Sequence, residues 1–421
     1  MRSSDLKLLY RRQSRLVGIL AAFVLGVCSL GWATYSESVI YTFTDENGDA
    51  STPYGGLVLD HAGNLYGMTS QGGALGAGAV YELTPNNSGA WTESVIYSFT
   101  GGSDGSSPVS GLAIDQTGNL YGTTHFGGNS GCSCGTVFEL KSTLGGWQYN
   151  LLYTFAGGDD GSFPWASPTL DASGNVYGVA FEGGSRALGT AFSLRPTAGG
   201  RWSFELLHTF SGGKDGSSPT TNLTFDAEGN LYGTTEQGGG SSNCKMGCGT
   251  AYELTPTAGR WRETVLHSFT GAADGQYPNG GLIFDSAGNL YGVAGGGGLH
   301  GQGTVYELSP SSGRWESRVL HNFIGKPDGA APQGSLIFDS VKNLYGTTDG
   351  GGVGFGTVFE LSPSAGKWNF LLLHTFYVSH SDAAEPTGAL IMDSSGNLYG
   401  AASGGNFSAG VVFELSPTSG R

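Results

Sequence analysis

The heptapeptide GNLYGTT at residues 118–124 decides how this sequence folds, because close copies of it recur along the chain. Six further copies begin at residues 63, 174, 229, 288, 342 and 396. The spacings between their tyrosines are 55, 56, 55, 59, 54 and 54 residues, for Tyr66, Tyr121, Tyr177, Tyr232, Tyr291, Tyr345 and Tyr399. A period of this length with several strand signals per repeat is typical of a β-propeller, in which each repeat forms one blade.

One repeat contains four strand signals, which we name A to D from the centre outward. Strand A is SGLAID from residue 110, and the turn QTGN follows it, with Gly118 at the position that requires a positive φ. Strand B is LYGTT, strand C is GTVFEL at 135–140, and strand D is WQYNLLYTF from residue 147. These runs favour strands, and no segment has a sustained helical period. We predict an all-β, seven-bladed β-propeller of four-stranded antiparallel blades.

The two ends of the repeat array predict how the ring closes. The last repeat stops after strand C, whereas TYSESVIYTF at 34–43 aligns with WTESVIYSF at 91–99, the strand D of the first repeat. Residues 35–43 therefore complete the last blade. Closure pairs the edges that an open sheet leaves as templates for aggregation.

The N-terminus has the pattern of an export signal. One Lys and four Arg precede an uncharged run, LVGILAAFVLGVCSLGWA at 16–33, which ends in small residues. An uncleaved anchor helix is the alternative. We expect a signal peptide at 1–33 and a single propeller domain at 34–421, in a protein that is extracellular, cell-surface or periplasmic and leaves the membrane after cleavage.

The composition limits the partners. Aromatic residues make up 12% of the chain, which argues against disorder despite 76 Gly. The net charge is −15, and it becomes −19 when residues 1–33, with five basic residues and one acidic residue, are removed. This charge disfavours nucleic acid as a partner and leaves cations, proteins or neutral molecules such as glycans.

Seven Asp residues stand four positions before a Pro, in the connections between blades. In a propeller these connections share one face with the B-to-C loops, so the carboxylates are expected to form a ring on one rim. The ring is a candidate ligand-binding face, and the alternative is that each Asp caps its own turn. Its members are Asp49, Asp104, Asp160, Asp215, Asp274, Asp328 and Asp382.

The first of these connections, DENGDAS, resembles the opening of a calcium loop. Asp45, Asn47 and Asp49 occupy alternate positions, as the first ligands of such loops do. Ala50 replaces the usual Gly, and Gly56 replaces the final Glu. Calcium is therefore the one candidate cofactor.

Two further series of polar residues recur at equivalent positions. An Asp ends each strand A, as Asp115 does, and is expected to cap the turn into strand B. A Glu recurs in strand C, as Glu139 does, and is expected to form hydrogen bonds across blades; Ser193 breaks this series. Carboxylates repeated in blade after blade do not make one catalytic pair.

The cysteines after residue 33 occur only in two enlarged B-to-C loops, of the second and fourth repeats. They are Cys132, Cys134, Cys244 and Cys248. Four thiolates also suit a zinc site, but these loops belong to blades that are not neighbours. We predict local disulfides, Cys132–Cys134 and Cys244–Cys248, in an exported protein.

The repeat resembles the GloVer tandem repeat of exported bacterial proteins. The unit that carries the resemblance is VLHSFTGAADGQYPNGGLIFDSAGNLYGVAGGGGLHGQGTVYELSP at 265–310, and it recurs seven times. The resemblance implies secretion and a repeat scaffold, and it provides no catalytic residues.

These observations favour a monomeric, secreted, non-enzymatic scaffold that binds a glycan, cation or protein through one loop-rich face. The first alternative is an extracellular polysaccharide hydrolase or lyase, since propellers also host enzymes. The second is a structural component of the cell envelope.

Overall fold

The computed structural model describes residues 35–86, 88–128, 131–377, 383–405 and 409–418. The predicted signal peptide at 1–33 and Asp382 lie outside these ranges. Within them the chain forms 32 strands and no helix, which confirms the all-β prediction. No helix long and apolar enough to cross a membrane occurs in the same ranges.

The strands form seven antiparallel sheets, one for each blade. Blade 1 contains β2 (Ala50–Leu59), β3 (Leu65–Gly72), β4 (Ala79–Pro85) and β5 (Trp91–Ser98). Blade 2 contains β6 (Ala113–Ile114), β7 (Leu120–Thr124), β8 (Thr136–Thr143) and β9 (Gly146–Thr154). Blade 3 contains β10 (Ser162–Pro164), β11 (Thr169–Leu170), β12 (Val176–Glu182), β13 (Thr190–Pro196) and β14 (Trp202–Thr209).

Blade 4 contains β15 (Ser217–Pro219), β16 (Thr224–Phe225), β17 (Leu231–Gln237), β18 (Thr250–Thr257) and β19 (Arg260–Ser268). Blade 5 contains β20 (Gln276–Pro278), β21 (Ile283–Phe284), β22 (Leu290–Gly296), β23 (Thr304–Ser311) and β24 (Arg314–Asn322). Blade 6 contains β25 (Ala330–Phe338), β26 (Leu344–Gly350), β27 (Thr357–Ser364) and β28 (Lys367–Thr375).

Blade 7 joins the two ends of the chain. It contains β29 (Ala383–Pro386), β30 (Ile391–Met392), β31 (Leu398–Gly405), β32 (Val411–Pro417) and, from the other end of the chain, β1 (Tyr35–Thr42). The order β1-β32-β31-β29 places β1 as the outermost strand of this sheet. The prediction of a seven-bladed propeller closed by the N-terminal strand is confirmed.

The hydrophobic core lies between neighbouring blades. One cluster joins Tyr66 and Met68 of blade 1 to Leu120 and Phe138 of blade 2, and all four side chains are buried. The cluster that closes the ring contains Phe43, fully buried, with Tyr81 and Tyr399. Each blade therefore stabilises the next by burial of apolar surface.

A backbone contact repeated seven times fixes the start of each strand A. The residue before each Pro has a left-handed conformation, such as Phe163 with a φ of 59°. Its N–H donates to a B-to-C loop carbonyl of the preceding blade, Cys134 O, at 2.9 Å. Gly135, the residue after Cys134, allows this close approach. A Cβ on Gly135 would lie 2.7 Å from Pro164 Cδ and would clash with it. This junction determines where Trp165, the next residue, is placed.

Candidate functional site

The innermost strands of all seven blades surround a cavity of about 610 Å³ on the propeller axis, which we call the axial cavity. It lies where the connections between blades enter strand A. A cavity of this size is within the range that small-molecule ligands occupy.

The residue after each strand-A proline lines the axial cavity in every blade. This position changes from blade to blade, since aromatic, aliphatic, hydroxyl and amide side chains all occur there. Its occupants are Tyr54, Val109, Trp165, Thr220, Asn279, Gln333 and Thr387. Strand B contributes two more lining residues, Phe181 and Glu236, from the position directly after the GNLYGTT motif.

Aromatic side chains form one wall of the cavity around Trp165. The Trp165 ring is 6.5 Å from Tyr54 with an interplanar angle of 85°, and 5.9 Å from Phe181 at 45°. Behind it, His125 packs 4.8 Å away. Burial lowers the pKa of His125, and its Nδ1 has no hydrogen-bond partner in the described part of the chain.

One acidic side chain, Glu236, lines the cavity, and two more, Asp349 and Glu385, belong to blades 6 and 7. Burial raises the pKa of Glu236 above the usual range of a carboxyl. Burial and the nearby charge of Glu385 raise the pKa of Asp349. Burial, and after it the charge of Asp349, raises the pKa of Tyr54. Among the described residues, none that lines the cavity is Lys, Arg or His.

Two polar atoms of the cavity wall lack partners. The Oγ1 of Thr220 and the Oδ1 of Asn279 are both buried and accept no hydrogen bond from the described residues. Buried polar atoms are nearly always paired with protein, water or ligand, so these two mark positions that a ligand or water can satisfy.

Small residues let the innermost strands approach one another around the axis. The Gly111 N–H donates to Ser167 Oγ of the next blade at 2.8 Å. Ser335 Oγ donates to Asn222 Oδ1 at 3.0 Å, from blade 6 to blade 4. Gly281 of blade 5 lies between Ser335 and Asn222. A Cβ on Gly281 would lie 2.1 Å from Asn222 Oδ1. These residues, which we call the girdle, also line the axial cavity.

The predicted ring of Asp residues lies in the connections between blades, outside the set that lines the axial cavity. Each described member accepts hydrogen bonds from its own loop and from strand D. Asp104 accepts from the Tyr97 hydroxyl at 2.9 Å and from the Thr100 N–H at 2.9 Å. His208 occupies the place of that Tyr beside Asp215, at 2.9 Å. Ligand binding by the ring remains a prediction.

The candidate calcium residues have separate partners. Asp45 accepts from the Ser51 hydroxyl at 3.0 Å, whereas Asp49 accepts from Thr44 at 2.8 Å. Among the described residues no three His, Cys, Asp or Glu side chains are grouped to hold a metal. Calcium binding by Asp45, Asn47 and Asp49 stays a prediction.

The strand-A Asp series caps the turn after strand A, as predicted. Asp115 Oδ1 accepts the N–H groups of Thr117 and Asn119 at 2.8 and 2.9 Å. The Tyr121 hydroxyl contacts both Asp115, at 3.4 Å, and Glu139, at 3.0 Å. Glu139 bonds within its own blade, so the expectation of bonding across blades was wrong. The reason is that strands B and C pair Tyr121 directly with Glu139.

Both predicted disulfides are present, Cys132–Cys134 and Cys244–Cys248. The four sulfurs are therefore not a zinc site. Each disulfide packs against a Gly in the connection to the next blade, Gly157 and Gly271. Disulfides persist in oxidising compartments, which is consistent with export.

Sequence reasoning missed the residues of the axial cavity. The signal was present, because aligning the seven repeats shows two variable positions, after the strand-A Pro and after the GNLYGTT motif. Only the ring geometry brings Tyr54, Trp165 and Glu236 from three different blades to one cavity.

The fold and the cavity define a seven-bladed propeller built from tandem repeats, with a variable axial cavity. The chain belongs to the Gloeobacter/Verrucomicrobia repeat family, whose model matches residues 27–246 and 241–421. This confirms the resemblance to the GloVer repeat. No functionally curated protein matches the chain.

Several solved structures share the fold at low sequence identity. An ulvan lyase bound to a saccharide is 12% identical, with 91% of this chain and 96% of that chain covered and a TM-score of 0.57. A fungal alcohol oxidase in complex with copper is 13% identical over 91% of this chain and 76% of that chain, with a TM-score of 0.56. A putative 6-phosphogluconolactonase from Bacteroides uniformis is 13% identical over 79% and 85%, with a TM-score of 0.50. These likenesses show the fold alone.

Proposed function

We propose that this protein is an exported, non-enzymatic scaffold that binds a saccharide in the axial cavity. One observation carries the proposal: the repeat varies where the seven innermost strands meet. A position that serves only the blade keeps residues of similar size and chemistry, as the motif glycines and the Tyr or Phe of strand C do. A position that serves one shared ligand takes a different residue in each blade, because each blade contacts a different part of that ligand.

The chemistry of the lining suits a sugar. Aromatic faces such as those of Trp165 and Tyr54 pack against the apolar C–H faces of sugar rings. Amide and hydroxyl groups, including Asn279, Gln333 and Thr220, match sugar hydroxyls, which both donate and accept. Pockets with this combination of apolar wall and few polar groups are typical of ligand sites.

The proposal is tested by a glycan array with the purified protein, with and without calcium. We expect binding that does not need calcium and that falls by about tenfold or more in Trp165→Ala, since hot-spot aromatic residues contribute at least that much. Leu144→Ala, at a fully exposed side chain, is the control. If Asp104→Asn abolishes binding while Trp165→Ala leaves it intact, the site is the ring of Asp residues and the axial-cavity proposal fails.

The second candidate is a polysaccharide hydrolase or lyase. It is favoured by Glu236 and Asp349, since a carboxyl with a raised pKa keeps its proton closer to neutral pH and suits general acid catalysis. The test is release of new sugar ends from each polysaccharide that binds. Turnover that Glu236→Gln abolishes, with binding retained, would replace the scaffold proposal by the enzyme.

A further inference from the structure

We infer that the saccharide of the axial cavity carries protonated amino groups, as a glucosamine polymer does. The inference rests on the proposed saccharide binding and names the class of sugar. It follows from three features of the same cavity: its charge, its unpaired acceptors and its aromatic wall.

The first feature is the sign of the charge. Glu236 lines the cavity, and the negative charge of Asp349 raises the pKa of Tyr54, another lining residue. In the described part of the chain no lining residue is Lys or Arg, and the whole chain carries a net charge of −15. A uronate or sulfated sugar would bring a second negative charge beside these carboxylates, at a cost that burial increases. A cationic sugar gains from the same arrangement.

The second feature is the type of hydrogen-bonding group that is left unpaired. Asn279 Oδ1 is buried, has no hydrogen-bond partner among the described residues, and can only accept a hydrogen bond. An ammonium group has three donors and no acceptor. It therefore suits an amide oxygen and the carboxylate of Glu236, which lines the same cavity, whereas a carboxylate or sulfate has no donor for the Asn279 oxygen.

The third feature is the aromatic wall. Trp165 and Tyr54 stand nearly perpendicular, at 85°. A cation over the face of Trp or Tyr is attracted by the ring quadrupole, and the attraction grows when the cation is desolvated. The wall therefore supports both the sugar ring and its ammonium group.

The experiment is titration calorimetry of the purified protein with three oligosaccharides of equal length. They are a β-1,4-linked glucosamine oligomer, its fully N-acetylated form and an oligouronate. We expect the glucosamine oligomer to bind about tenfold or more tightly than the N-acetylated form, the size expected for a charge-assisted hydrogen bond. Added salt should reduce this preference.

A matched pair of variants locates the effect. Glu236→Gln, a neutral side chain of the same shape, should weaken binding of the glucosamine oligomer by about tenfold more than binding of the N-acetylated form, so that the two oligomers bind equally. Glu316→Gln removes the same charge from an exposed side chain on the outer strand β24. It should change the affinity for neither oligomer.

The outcomes separate the two proposals. Equal binding of the glucosamine and N-acetylated oligomers, or tighter binding of the oligouronate, overturns the amine inference and leaves saccharide binding in place. If no saccharide on the array or in the calorimeter binds, both proposals fail. A preference for the glucosamine oligomer that survives Glu236→Gln overturns the inference, because the carboxylate would then play no part in it.

Discussion

At the residue scale, Gly122 shows why the second glycine of the motif is present in every blade. A Cβ on Gly122 would lie 2.4 Å from Phe138 Cζ, and Phe138 is fully buried. A Cβ on the equivalent glycine of each other blade would lie 2.3 to 2.7 Å from the nearest atom of the strand-C Tyr or Phe side chain. The glycine is therefore a packing requirement, because the aromatic side chain of strand C packs directly against the backbone of strand B.

We predict that Gly122→Ala destabilises the protein by about 1–3 kcal/mol, the usual cost of overpacking a core. Phe138 has no free space into which to move. The control is Gly145→Ala in the same blade, whose new Cβ would meet only Thr143 Oγ1, at 4.0 Å. Chemical denaturation of both variants measures the difference, and equal stabilities would contradict the packing argument.

A second prediction at this scale concerns Tyr252, whose hydroxyl is buried without a partner in the described residues. Blades 2, 3, 6 and 7 carry Phe at this position. Tyr252→Phe should keep or raise the free energy of unfolding, by up to about 1 kcal/mol, because an unpaired buried hydroxyl is lost.

Tyr232→Phe provides the contrast in the same blade. The Tyr232 hydroxyl contacts Asp226 at 3.0 Å and Glu253 at 3.1 Å. Loss of this hydroxyl should lower the free energy of unfolding by about 1 kcal/mol. A larger loss in Tyr252→Phe than in Tyr232→Phe would show that the Tyr252 hydroxyl is hydrogen-bonded, to water for example.

At the element scale, the outer strands place carboxyls between blades. Glu263 of β19 has a buried Oε1 without a partner in the described part of the chain. Burial, with the charge of Asp215, raises the pKa of Glu263 to about 7. Strand D therefore holds a carboxyl whose folded-state pKa exceeds its unfolded value, so its contribution to stability is present at low pH and is lost as the pH rises through 7.

We predict that Glu263→Gln stabilises the protein at pH 8 by roughly 1 kcal/mol, after allowance for solvent screening of a partly exposed group. Near pH 4 the variant and the parent should be equally stable, because Glu263 is then protonated in both the folded and unfolded states. Melting curves across pH 4–8 measure the difference, with Glu316→Gln as the exposed control. A difference that does not change with pH would contradict the raised pKa.

At the scale of the whole molecule, one strand from the beginning of the chain closes the ring. β1 pairs with β32, and Phe43, just after β1, is fully buried against the first blade. Removing this segment would expose the edge of β32 and the apolar face between blades 7 and 1. Such an edge is a template for pairing with other chains.

We predict that deletion of residues 34–43 causes aggregation or a large loss of thermal stability, measured by melting and size-exclusion chromatography. A synthetic peptide of residues 34–43 should restore part of the lost stability by adding the missing strand. A deletion variant that melts like the parent would contradict the role of β1 in closure.

The repeat made most of the architecture predictable from sequence. Turn residues such as Gly118 mark each hairpin, and the period gives the blade count. The missing last strand and the spare first strand predict closure, and short cysteine spacings predict both disulfides. These features are local or periodic, so one chain displays them without an alignment.

The candidate site was not predictable in the same way. Tyr54, Trp165 and Glu236 are far apart in sequence and belong to blades 1, 3 and 4. Their approach depends on the curvature of the ring and on the girdle of small residues that brings the innermost strands together. The sequence by itself determined the fold of one blade, the number of blades and the closure of the ring, because these follow from local strand and turn preferences and from the repeat period. Only the tertiary structure decided which side chains share the axial cavity, because their proximity is created when seven blades close around one axis.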